Sequence, residues 1–133
     1  MIMSFGKPIV KSPHRWEIVR MASKKFTTVV GGASRIFKEF LSTSSGTVMS
    51  YANLRFGNGS VYRRLGFNFV KITEPGYVYT DLNRIYARQQ FRRNTISKMC
   101  PRYDPGLTEA QNAENNNFRV YWDTGHLLFE FLR

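Results

Sequence analysis

The chain has 133 residues, in which twenty Lys and Arg outnumber nine Asp and Glu for a net charge of +11 and a pI near 10.2. A hydrophobic fraction of 42% with 15% aromatics excludes wholesale disorder and fits one small, strongly basic domain, 1–133. A lone Cys100 excludes an internal disulfide and a cysteine-rich zinc site, and no apolar run reaches the ~20 residues of a membrane span. That single cysteine makes a reducing cytoplasm the expected setting, and Met1 to Phe5 reads as a strand and not as a leader. Thirteen of the twenty cations are Arg, whose planar fork suits phosphate and base edges, so the first expected partner is nucleic acid.

In chain order, Met1 to Phe5 reads as a strand ending at Gly6, followed by a turn around Pro8 to Pro13. Trp16 to Ala22 alternates as a half-buried strand, with Lys24 and Lys25 in the loop after it. Gly31-Gly32-Ala33 then forms a small-residue turn that opens a helix, because Ile36, Phe37, Phe40 and Leu41 recur at helical spacing over Ser34 to Leu41. Val48 to Ala52 is a short strand. Asn58-Gly59-Ser60 starts a second helix through Leu65, stopped by Gly66. Phe67 to Ile72 and Tyr77 to Thr80 read as strands joined by a hairpin-like turn at Glu74-Pro75-Gly76.

Beyond residue 80 the spacing predicts a long helix over Asn83 to Met99, a polar surface loop over Leu107 to Asn117, and a terminal hairpin. The hairpin pairs Phe118 to Trp122 with Leu127 to Leu132 around Asp123-Thr124-Gly125-His126. The expected class is an α/β sandwich with a mixed sheet: a scaffold core at 1–80, then the basic helix, loop and hairpin at 81–133.

Three sets of residues carry chemistry. Backbone at Gly31, Gly32 and Ala33 can approach a phosphate closely and present bare N–H groups at a helix N-terminus. On a helix, Arg84, Arg88 and Arg92 share one face in a row about 12 Å long, joined by Arg93 and Lys98, and such a row tracks phosphates or enters a major groove. Lys24, Lys25, Arg63 and Arg64 add phosphate contacts beside the glycine turn. The tyrosines in the strands read first as core residues and only second as base-stacking groups. His14 and His126, with no supporting Cys or carboxylate cluster, propose no metal site, and the nine scattered acids form no nuclease constellation.

Thr28-Val-Val-Gly31-Gly32-Ala33 and Tyr62-x-x-Leu65-Gly66-Phe67 together resemble the GNAT acyltransferase superfamily. There a turn of pattern Gln/Arg-x-x-Gly-x-Gly/Ala follows a strand and cradles the pyrophosphate of acetyl-CoA. This chain has Thr28 where Gln or Arg stands in that pattern. The resemblance spans about residues 14 to 72. It implies a GNAT-like mixed, mainly antiparallel sheet flanked by helices. As an acyltransferase the chain would hold acetyl-CoA on Gly31, Gly32 and Ala33, with Tyr62 as general acid and Glu17 as a possible base.

A second likeness spans nearly the whole chain. Ser4 to Pro8, Trp16 to Arg20, Val29 to Ser34, Tyr51 to Arg55, Tyr62 to Phe67, Arg88 to Arg92 and Tyr121 to Leu127 resemble the C-terminal part of phage-encoded proteins described as homing endonucleases. In that group a separate N-terminal segment generally carries the nuclease motifs. This likeness implies a phage-type DNA-binding module in an infected bacterial cell, without cutting activity or cofactor of its own, acting as a repressor or targeting subunit and possible homodimer. An acyl-CoA-dependent transferase and an active homing endonuclease are the alternatives.

Overall fold

The computed structural model describes residues 1–133. They form two compact units, one made of residues 1–74 with 125–133 and the other of residues 75–124. The architecture is mixed α/β, with mainly antiparallel sheets and three α-helices.

In the first unit, strand β1 (Ile2–Gly6) pairs antiparallel with β2 (Trp16–Ala22). Helix α1 (Gly32–Thr43) follows, then β3 (Val48–Asn53), which lies parallel to β2. After the single-turn helix α2 (Ser60–Arg64) comes β4 (Asn68–Ile72). The last strand of the chain, β8 (His126–Phe131), inserts between β3 and β4, so the sheet order is β1-β2-β3-β8-β4. The expected amphipathic stripe of α1 packs on this sheet: Phe37 is buried, 5.1 Å from both Phe67 and Phe131, while Phe40 stacks on Phe5 at 3.6 Å. Met3, Ile18, Val48, Tyr62, Leu127 and Phe129 complete the buried core.

The second unit is a three-stranded antiparallel sheet of β5 (Tyr77–Thr80), β6 (Ile85–Tyr86) and β7 (Arg119–Trp122), ordered β6-β5-β7. Tyr79, Phe91, Ile96, Cys100 and Ala113 form its core. The helix expected over Asn83 to Met99 is not there. Its residues form β6 and two 3₁₀ turns, Arg88–Phe91 and Ile96–Lys98. Local polar groups take the backbone that a helix would need: Asp81 Oδ1 accepts from the N–H groups of Asn83 and Arg84, and the Thr95 hydroxyl donates to the Gln89 and Arg92 carbonyls. Arg92 itself is extended, with ψ 153.

Three further expectations are corrected. The polar stretch within 107–117 contains helix α3 (Glu109–Asn115), started by a capping box in which Thr108 and Gln111 bond each other's backbone N–H. The Glu74-Pro75-Gly76 turn joins no hairpin, because β4 pairs with β8 and β5 with β7. The terminal hairpin is split in the same way: β7 belongs to the second unit's sheet and β8 to the first. No helix is long and apolar enough to cross a membrane.

Candidate nucleic-acid interface

Parallel strands β2 and β3 pair only over Trp16–Ile18 and Val48–Ser50, although β2 continues to Ala22 and β3 to Asn53. Past that point they part, and an open cleft of about 590 Å³ lies between Arg20 on one side and Tyr51 and Asn53 on the other, with Phe56, Asn58 and Tyr62 in its wall. A β-α-β crossover sets the N-terminus of α1 at the C-terminal end of β2. Accordingly Ala22 pairs with Ile2, and a Cβ built on Gly32 would meet the Met1 sulfur at 3.0 Å. The carboxyl ends of parallel strands are where open sheets commonly receive ligands.

The turn into α1 is bare. Gly31 sits at φ 68, a left-handed conformation that favours glycine, and nothing lies within 4 Å of where its Cβ would be. No side chain caps the helix and no acid lies in its first turn to offset its partial positive charge, although the buried Gly32 N–H is already taken by the Val29 carbonyl at 3.1 Å. Gly32 is buried and Ala33 half-buried, which leaves Gly31 as the accessible member of the three.

Charge gathers on this unit. Residues 18–73 contain nine basic side chains and a single acid, Glu39. The first unit as a whole holds thirteen basic and four acidic residues, against seven and five in the second. Lys24, Lys25, Arg63 and Arg64 are all exposed, as are Arg20 and Arg55. Arg63 is partly committed: its Nη1 donates to the Asn58 carbonyl at 3.1 Å, and its guanidinium lies 5.3 Å from the Phe129 ring. Two rings stand out in solvent beside cations. Phe26 is 95% exposed with the Lys25 ammonium 4.8 Å from its ring, and Phe56 is 81% exposed with Arg55 at 5.6 Å. These Lys-Phe and Arg-Phe neighbours are visible as dipeptides, but an aromatic in a short loop carries no periodicity to distinguish surface from core.

Of the residues expected to catalyse acyl transfer, Tyr62 lines the cleft and Glu17 is not among its lining residues. Glu17 is buried on β2, its Oε2 accepting from the Ile9 N–H at 3.2 Å. Burial, and then the Glu17 carboxylate, push the Tyr51 hydroxyl above its ordinary pKa. Tyr62 is in the core, stacked 5.3 Å from Phe129 and edge-on to Phe67 at 5.7 Å.

In the second unit the expected arginine row is dispersed. Arg84 lies in the turn between β5 and β6. Arg88 opens the first 3₁₀ turn with its guanidinium 4.6 Å from the Tyr77 ring, and Lys98 ends the second. The Arg93 N–H donates to Glu109 Oε1 at 3.1 Å, while the Arg92 carbonyl accepts from Thr95 and Ile96. All five side chains are exposed, but no helix face aligns them. No group of three or more His, Cys, Asp or Glu residues is placed to hold a metal ion. No family model matches the chain, and neither a curated protein nor a solved structure is significantly similar to it.

Proposed function

We propose that this protein is a DNA-binding module on a GNAT-like core, related to the C-terminal part of phage homing endonucleases and acting as a targeting or repressor subunit. One observation carries the reading: nine basic side chains against one acid over residues 18–73. Such a surface releases condensed counterions when it meets a phosphate backbone, which drives binding whatever the base sequence. Lys24, Lys25, Arg63 and Arg64 supply phosphate contacts, with Arg84, Arg88, Arg92, Arg93 and Lys98 as a second set. The exposed turn at Gly31, at the N-terminal end of α1, receives a phosphate oxygen.

The test is duplex affinity as a function of salt. Each lost phosphate contact lowers the log-log salt slope by about 0.9. Replacing Lys24, Lys25, Arg63 and Arg64 by Ala is expected to weaken binding more than tenfold near 0.1 M salt and flatten that slope by about 3.6. An unchanged slope would refute the assignment of these four residues.

A second reading is favoured by the cleft itself. The strand, glycine turn, helix and strand follow the order of the GNAT resemblance, and here β2 and β3 part to open a cleft. On this reading Gly31, Gly32 and Ala33 hold pyrophosphate, Tyr62 is the general acid and Glu17 the base. Acetyl-CoA then raises the melting temperature in proportion to its affinity for the native state. Stabilisation by acetyl-CoA without DNA affinity would replace the first reading by the second.

A further inference from the structure

We infer that the second unit carries a stacking site for an unpaired base of single-stranded DNA, built on Trp122, Tyr77 and Arg88; the inference rests on the DNA-binding reading above. Antiparallel β5 and β7 set Tyr77 directly opposite Trp122, with their ring centroids 4.8 Å apart and tilted by 54°. The Arg88 guanidinium lies over the Tyr77 ring at 4.6 Å. The three form a cation–aromatic–aromatic cluster in which Trp122 and Arg88 are exposed and Tyr77 is half-buried.

Packing does not explain Trp122. It remains 58% exposed, on an edge strand whose four residues, Arg119 to Trp122, are all exposed, and it takes no part in the core around Tyr79 and Phe91. An indole left in water forfeits much of the burial that makes tryptophan valuable. A flat π-surface flanked by arginine suits a planar base attached to a phosphate, the combination that single-strand binders use.

The unit as a whole carries seven basic and five acidic side chains, but the charged group at the rings is Arg88, a cation that favours an anionic occupant over a basic one. Arg84, Arg88, Arg92, Arg93 and Arg119 are exposed on this unit, with their guanidinium groups suited to backbone phosphates. In an intact duplex every base face is covered by its neighbours. An indole therefore reaches only a base that is already unstacked or is extruded on binding.

Trp16 is the only other tryptophan, so Trp16→Phe leaves Trp122 as the sole indole reporter. This variant is titrated with a fluorescein-labelled oligo-dT strand and, separately, with a labelled duplex of equal length. Anisotropy reads binding and indole emission reads stacking. The expected result is saturable quenching of Trp122 by the single strand, with little quenching by the duplex. In the native background, Trp122→Ala is expected to weaken oligo-dT binding about tenfold and Trp122→Phe to restore part of it, with duplex affinity little changed. Single-strand binding that leaves Trp122 emission unaltered, or that is insensitive to Trp122→Ala, overturns the stacking site. Duplex binding with a steep salt slope and no single-strand binding overturns it too and leaves the DNA-binding reading standing. Absence of binding to either overturns both.

Discussion

Gly76 and Asp123 hold each other at both ends of the second unit. The Gly76 N–H donates to Asp123 Oδ1 at 2.9 Å, and the Asp123 N–H donates to the Gly76 carbonyl at 2.8 Å. Forty-seven residues separate them, so the pair closes the loop formed by residues 76–123. Asp123→Ala removes the side-chain bond and is expected to cost about 1–2 kcal/mol. Asp123→Asn keeps an Oδ1 acceptor and should cost less. Urea denaturation of both variants checks the order.

Gly59 begins α2 at φ 71, and a Cβ there would lie 2.3 Å from the Phe129 ring. Backbone strain and overpacking combine at this one position. Gly59→Ala is expected to destabilise the protein by about 2–4 kcal/mol. Thermal unfolding would show the loss directly.

Asn112 is fully buried, yet it is satisfied. Its Oδ1 accepts from the Asp104 N–H at 2.7 Å, and its Nδ2 donates to the carbonyls of Asp104 at 2.8 Å, Thr108 at 3.2 Å and Leu107 at 3.3 Å. Asn112→Leu fills similar space while stranding those backbone groups, and an expected cost of about 2–4 kcal/mol follows. Amide exchange in residues 104–108 should accelerate before exchange in the first unit does.

Tyr79 is buried against Phe91 at 4.0 Å, and burial, helped by neighbouring Tyr77, pushes its hydroxyl up to about 12 from an ordinary 10. The folded state therefore holds this proton more tightly than the unfolded state. Its contribution to stability is complete below pH 10 and is lost as pH rises through 12. Absorbance near 295 nm should show a late tyrosine phase that Tyr79→Phe diminishes, and the variant should lose less stability over that window.

Cys100 is fully buried in the second unit's core, and burial pushes its thiol above the ordinary pKa. Native protein should react with a disulfide reagent only as fast as this unit opens. Asp123→Ala should accelerate the labelling. Labelling at the rate of a free thiol would contradict the packing.

The first unit was largely legible because its signals are local. Ile36, Phe37, Phe40 and Leu41 mark a helix, the Trp16 segment forms the expected strand although Glu17 and Ile18 are both buried and Val19 and Arg20 both exposed, and Gly31, Gly59 and Gly66 punctuate at positive φ. The second unit misled where pattern and propensity are ambiguous. Arg84, Arg88 and Arg92 have helical spacing, but Phe91, Ile96 and Cys100 all enter one small core, and Asp81 and Thr95 divert the backbone between them. Helix α3 was hidden because it buries only Asn112 and Ala113 and so lacks an apolar stripe, although its Thr108-x-x-Gln111 box was readable.

Composition by itself determined that this is a basic, arginine-rich, single-cysteine protein with a packed core, and local spacing determined most elements before residue 80. Strand pairing was decided only in three dimensions. β8 enters between β3 and β4, and residues 75–124 close through Gly76 and Asp123 as a separate unit. Pairing is non-local, so no window of sequence contains it. The same holds for the candidate site. The cations between residues 18 and 73 are plain in the sequence, whereas the cleft beside Arg20 exists because β2 and β3 stop pairing at Ile18 and Ser50.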